Sequence, residues 1–163
     1  MNAVVRPDSS IAPIGVADLH AVTAIENAAY DFPWTRGNFI DSLAAGYLAR
    51  ALRTGGGAIV AYFIAMKGVD EMHLLNLTVA PPEQGRGHAR RMLDDLVAQC
   101  RMQRADRIWL EVRESNTRAR TLYQHYGFRQ IGTRRGYYPA LHGRREDATV
   151  MSLDVGGGGH ALD

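Results

Sequence analysis

Residues 79–93 read VAPPEQGRGHARRML, and no other stretch narrows the choice of fold so far. An extended run ends at Val79, two prolines stop it, and a glycine-spaced turn leads directly into a helix with apolar residues at helical spacing. Such a turn collects unpaired backbone N–H groups at the positive end of the helix dipole, which suits a phosphate-bearing ligand. Strand, turn and helix in this order call for an α/β chain.

The chain has 163 residues, of which 46% are hydrophobic, enough for one core and too few for two typical domains. The reading is one domain over residues 1–155, with 156–163 (GGGGHALD), which has no apolar face to bury, as a disordered tail. No 18 consecutive apolar residues occur, and MNAVVRPDSS lacks the basic-then-apolar pattern of a signal peptide. A soluble, cytoplasmic protein with no membrane role is expected. Cys100 is the single cysteine and falls on the apolar stripe with Leu93, Leu96 and Val97, as a packed thiol would. Net charge is +2, but residues 81–145 hold 14 of the 19 basic and 6 of the 17 acidic residues, so that segment carries +8 and the remainder −6. This field favours an anionic ligand or partner. Aromatics are not interleaved with the arginines, so no nucleic-acid role is expected. The six histidines show no paired ligand spacing, and no metal is expected.

Asp18 reads as the cap of a helix through Tyr30, and Thr35 as the cap of a short second helix after FPW. Three extended runs at 47–53, 58–66 and 71–79 form a meander. The helix opened by QGRGHA carries Ala89, Met92, Leu93, Leu96, Val97 and Cys100 on one stripe. RIWLEV at 107–112 is a strand reached by a right-handed crossover, and therefore parallel to its neighbour. Ser115 or Asn116 caps a further helix that ends at Gly127, and two closing strands flank PALHGRR.

Strand, then Gln84-x-x-Gly87-x-Ala89, then WLEVR, Asn116 and a helix ending LYQHYGF resemble the GNAT N-acetyltransferase superfamily. FPWT, WLEVRESN, TLY, YGF, YYP and RREDATVM, in order from about residue 11 to 153, further resemble the bacterial ribosomal-protein alanine N-acetyltransferases. The resemblance implies a mixed sheet of about seven strands flanked by about four helices, open in a V between the fourth and fifth strands, where acetyl-CoA inserts. It also implies that Leu77, Thr78 and Val79 pair with the pantetheine, and that Gln84, Gly85, Arg86, Gly87, His88, Ala89, Arg90 and Asn116 hold the cofactor. His88 departs from the apolar residue usual at its position; it is either a surface substitution or a phosphate contact.

Acetyl transfer from a thioester to an amine needs a neutral amine, a polarised carbonyl and a proton for the thiolate. An α-amino group, with pKa about 7.7–8.0, needs only a modest base. The resemblance assigns that base to Glu111 and the general acid to Tyr123, twelve residues on. From the residues alone, Glu111 reads first as an outward, solvated glutamate and Tyr123 as a core tyrosine. The acceptor implied is the N-terminal alanine of the eighteenth small-subunit ribosomal protein, bound by Phe32, Pro33, Trp34, Tyr137 and Tyr138. Glu26, Glu114, Glu146 or Asp147 would receive its ammonium. A small amine, other protein N-termini or lysines are the alternative acceptors, since fold does not fix substrate. A nucleotide binder is disfavoured because QGRGHA matches neither G-x-G-x-x-G nor a G-K-[ST] ending.

Overall fold

The computed structural model of the chain describes residues 9–156. The expected disordered tail lies outside the described residues from 157 onward.

Among the described residues the strands are β1 (Ser10–Pro13), β2 (Leu48–Arg53), β3 (Ile59–Lys67), β4 (Glu71–Val79), β5 (Arg107–Arg113), β6 (Arg129–Pro139) and β7 (Arg145–Asp154). The helices are α1 (Leu19–Ala29), α2 (Arg36–Ala44), α3 (His88–Met102) and α4 (Thr117–Tyr126). The seven strands form one sheet in the order β1-β2-β3-β4-β5-β7-β6. β4 and β5 are parallel, with Glu71–Leu74 in register with Arg107–Leu110, while β7 is antiparallel to both β5 and β6. The mixed α/β class and the parallel crossover through α3 agree with the sequence reading.

Local chemistry explains most boundaries. Thr35 Oγ1 accepts from the Asn38 N–H and Asn38 Oδ1 from the Thr35 N–H, at 3.1 and 2.9 Å, a reciprocal cap that starts α2. Asn116, not Ser115, caps α4: its Oδ1 accepts from the Ala119 N–H at 3.2 Å. Gly127 ends α4 at φ 123°, a conformation that L side chains avoid. Asp18 differs from expectation. Its side chain accepts from the Gly15 N–H at 2.8 Å, inside a 3-10 turn at Val16–Asp18, and pairs with Arg53 at 2.7 Å, so α1 has no side-chain cap. β1 was not foreseen either. Four residues with a terminal proline carry too little pattern, yet Pro13 is tolerated because β1 is an edge strand.

The chain forms two compact units, one built from residues up to Ile64 with Asn76–Asp95, the other from Ala65–Leu75 with Leu96 onward. The division runs through β3, β4 and α3. In the first unit Leu19, Phe39, Leu52, Tyr62, Phe63 and Met92 are fully buried, and Phe39 meets Tyr62 edge to face at 5.8 Å. Arg50 makes a two-toothed, part-buried pair with Asp95 (2.6 and 3.2 Å), fixing the first half of α3 to β2. In the second unit Leu96, Cys100, Ile108, Leu110, Phe128 and Met151 are buried. Cys100 is the packed thiol expected, and burial pushes it up to about 11.

Candidate active site

β4 alternates strictly: Met72, Leu74, Asn76 and Thr78 are buried, and the residues between them are half-buried. Its second half, from Asn76 on, belongs to the first unit. Thr78 Oγ1 donates to Asn76 Oδ1 at 2.7 Å and lies 2.8 Å from the Tyr30 hydroxyl, which also donates to the Leu77 carbonyl at 3.2 Å. Asn76 Nδ2 in turn donates to both oxygens of Glu26, and the Tyr62 hydroxyl donates to Glu26 Oε2 at 2.9 Å. Glu26 is 1% exposed. Burial pushes its carboxyl above the ordinary range, against the lowering by bonds from Tyr62, Asn76 and the Trp34 backbone. A glutamate so enclosed is a brace between α1, β3 and β4, and it anchors the FPW turn. It is not the receiver of a substrate ammonium entertained from sequence. Trp34 packs on Phe39 with centroids 5.3 Å apart, while Pro33 is half-buried and Phe32 stays 40% exposed.

The turn after β4 has Gly85 at φ 79° and Gly87 at φ 82°, so each glycine occupies a backbone region that disfavours other residues. Apart from Gly87 and its two chain neighbours, no heavy atom of the described residues lies within 4 Å of where a Gly87 Cβ would stand. The fifteen-residue α3 opens at His88, followed by half-buried Ala89 and exposed Arg90. Gln84 Nε2 donates to the Val79 carbonyl at 3.3 Å, tying the turn to the strand end. His88 and Arg86 both reach Glu83 Oε2, at 3.3 and 3.1 Å, so His88 has an acidic neighbour in its own loop.

In the second unit, Glu111 sits on β5 in the alternation expected, between buried Leu110 and Val112. Its side chain is nevertheless only 7% exposed, not solvated. Parallel pairing puts His73 opposite Trp109, and Glu111, two residues on, shares their face. The His73 and Trp109 rings stack at 3.6 Å and 10°. His73 Nε2 is 3.2 Å from Glu111 Oε2, and the Tyr137 hydroxyl donates to the same oxygen at 3.3 Å. Oε1 is 3.1 Å from His73 Nε2, an ion-pair distance without hydrogen-bond geometry, and is a buried acceptor with no hydrogen-bond partner among the described residues. Burial pushes the Glu111 carboxyl up. The His73 bond and charge, the Arg134 guanidinium and the Tyr137 bond outweigh it and hold the group below the usual glutamate value.

Tyr137 reaches Glu111 because β6 bulges. Its register with β7 jumps from Arg134↔Ala148 to Tyr138↔Glu146, giving four steps on β6 for two on β7. Asp147 Oδ1 accepts from the Gly136 N–H at 2.8 Å, and Arg145 donates to the Gly136 and Tyr137 carbonyls at 2.6 and 3.0 Å. Asp147 therefore pins the bulge. Glu146 is taken by Arg113 at 2.9 Å and by Ser115, and Arg113 lies over the Tyr138 ring at 4.5 Å. Of the four acids entertained for the substrate, Glu26, Glu146 and Asp147 have structural partners; Glu114 is exposed on the turn after β5. Tyr123 is buried on α4 and meets Phe128 edge to face at 5.4 Å.

In the second unit, the buried Glu111 carboxylate, one oxygen of which has no hydrogen-bond partner among the described residues, has the chemistry to take a proton; in the first, a glycine turn that opens a long helix has the chemistry to hold an anion. The acetyltransferase (GNAT) family model matches residues 19–128, about two thirds of the chain. The chain belongs to the GNAT acetyltransferase family. This GNAT chain is 39% identical over 136 residues to the [ribosomal protein bS18]-alanine N-acetyltransferase of Haemophilus ducreyi, covering 83% of this chain and 93% of that one. It is 36% identical to the protein of the same name from Escherichia coli K12, over 90% of this chain and 98% of that one. The crystal structure of the ribosomal-protein-S18-alanine N-acetyltransferase from Escherichia coli superposes with a TM-score of 0.85 at 35% identity, over 96% and 99% of the two chains. The GNAT chain is thus an acetyl-CoA-dependent N-acetyltransferase. Its turn at 84–88 sets two positive-φ glycines directly before the first N–H groups of α3.

His73, Tyr30 and the Glu26 brace were missed from sequence. The one signal for His73 was its place in EMHLLNLTV, on the alternate set opposite Met72 and Leu74.

Proposed function

We propose that this chain acetylates the α-amino group of the N-terminal alanine of ribosomal protein bS18, by direct attack in a complex with both substrates. The observation that carries the reading is the near end-to-end likeness to two enzymes that bear that name, at 39% and 36% identity.

Acetyl-CoA supplies an activated acetyl thioester. Leu77, Thr78 and Val79 line its pantetheine, the Val79 N–H polarises the carbonyl, and Gln84 to Arg90 with Asn116 hold the rest. Glu111 Oε1 takes the proton of the attacking amine, directly or through one water, as the C–N bond forms. Tyr123 gives its phenolic proton to the sulfur as the C–S bond breaks. With its carboxyl held below the usual value, Glu111 is ionised wherever an α-amino group of pKa about 7.7–8.0 is partly neutral, and so is in the form that accepts a proton. Phe32, Pro33, Trp34, Tyr137 and Tyr138 contact the peptide, and exposed Glu114 is the acid best placed to meet a cation. Residues 1–155 act as one catalytic domain, since the family match spans both compact units. The enzyme works in the cytoplasm with a protein partner; no helix of the described residues is long and apolar enough to cross a membrane.

The test is acetylation of a peptide with the bS18 N-terminus, beside peptides with other first residues, lysine-bearing peptides and small amines. Turnover should be highest on the alanine peptide and absent when its α-amino group is blocked. Acetylation of small amines alone would overturn the assignment.

A further inference from the structure

We propose that His73 is a positioning residue for Glu111: stacked on Trp109, it donates from Nε2–H to Oε2, leaving Oε1 as the acceptor for the substrate proton. The proposal rests on the reading of Glu111 as the base.

Several observations converge on this role. His73 reaches Glu111 through strand register: pairing sets it beside Trp109, and the stack at 3.6 Å and 10° fixes the plane of its ring. Its side chain is 12% exposed and that of Glu111 7%, so water competes weakly for the bond. A carboxylate needs donors, and both of those found here fall on Oε2, from His73 Nε2 and the Tyr137 hydroxyl. The facing groups complete the account. β4 supplies His73, and β6 supplies Tyr137, Tyr138 and Arg134, whose guanidinium lies 5.8 Å from the Trp109 centroid and 5.4 Å from that of Tyr137. β7 places Val150, which cannot titrate, opposite Glu111. Because a carboxylate can only accept, Nε2 must carry a proton whether His73 is neutral or charged.

Removing the His73 donor leaves burial to act on Glu111 with less opposition, so its titration moves to higher pH. The test titrates Glu111 itself, by 13C NMR of protein labelled at glutamate Cδ, its resonance identified by loss in Glu111→Gln. His73→Leu should raise the midpoint by about one pH unit, a tenfold change in proton affinity, and His73→Gln, with an amide donor near the Nε2 position, should stay near the parent. Turnover should fall because Glu111 loses the contact that orients it, its carboxylate staying ionised at neutral pH: kcat drops about tenfold in His73→Leu, acetyl-CoA KM is unchanged, and His73→Gln recovers most of the loss. In the unsubstituted enzyme, 15N NMR should show a protonated Nε2, a measurement that needs no variant to fold. A bare Nε2, equal Glu111 midpoints in all three proteins, or equal kcat losses in the Leu and Gln variants would overturn the proposal. If Glu111→Gln is impaired while His73→Leu titrates and turns over like the parent, only the His73 inference fails. Full turnover by Glu111→Gln removes the base reading and this proposal with it.

Discussion

Glu111 shows how far a single residue can be read before its neighbours are known. Alternation in WLEVR sets it apart from Leu110 and Val112, but a side chain opposite the core is ordinarily solvated, and this one is enclosed by His73 and Tyr137. Glu111→Gln should lower kcat by about 10²–10⁴-fold with acetyl-CoA KM unchanged, measured in steady-state assays. Since Glu111 is held below the usual value, its carboxylate persists through neutral pH. The acidic limb of kcat/KM should therefore track the peptide amine, and shift between acceptors whose amine pKa differs. Stability carries the matching sign. A depressed carboxyl contributes stability that is present above its unfolded pKa and lost as pH falls through the lower folded value, so Glu111→Gln should flatten the acid limb of a stability curve. Cys100 offers the opposite case: buried and pushed up to about 11, it should react with a disulfide reagent only in denaturant.

At the scale of elements, sequence was legible where the cause was local. The Thr35 cap, a cap at Ser115 or Asn116, the stop at Gly127 and the start of α3 each depend on a few adjacent residues. Asn116→Ala should cost about 1 kcal/mol by thermal or urea unfolding, and acetyl-CoA KM should rise if the side chain also touches the donor. Gly87→Ala tests the turn separately. With open space around the added methyl but φ at 82°, the strain is purely conformational, about 1–2 kcal/mol, and should appear as weaker acetyl-CoA binding in calorimetry. What escaped local reading was β1, which exists only because β2 offers it an edge, and the β6 bulge. RRGYYP carries a glycine and two tyrosines but nothing to say that Asp147 and Arg145, on the next strand, will hold Gly136 and turn Tyr137 toward Glu111.

At the scale of the whole chain, the brace around Glu26 joins four elements that sequence treats as separate: α1, the FPW turn, β3 and β4. Glu26→Ala would leave the Tyr62 hydroxyl and the Asn76 amide buried without their acceptor. At about 1–3 kcal/mol for each orphaned group, the loss should exceed that of either cap and lower Tm by several degrees, read by calorimetry. The Tyr30 hydroxyl, pushed up to about 12 chiefly by burial, should stay protonated at every pH at which the enzyme works and go on donating to the Leu77 carbonyl.

Periodicity, caps and glycine turns are short-range, so the sequence by itself determined the α/β class and, among the described residues, the four helices, six of the seven strands and the glycine turn at 84–88. Family motifs added Glu111 and Tyr123 as candidates. Only tertiary structure decided which acids are spoken for, that β7 lies between β5 and β6, and that Glu111 shares one oxygen between His73 and Tyr137 while the other, buried, has no hydrogen-bond partner among the described residues. Those contacts join residues 26 to 50 positions apart, and nothing in local spacing encodes which distant donor will meet which acceptor. The turn in VAPPEQGRGHARRML could be read from its own residues; the proton chemistry could not.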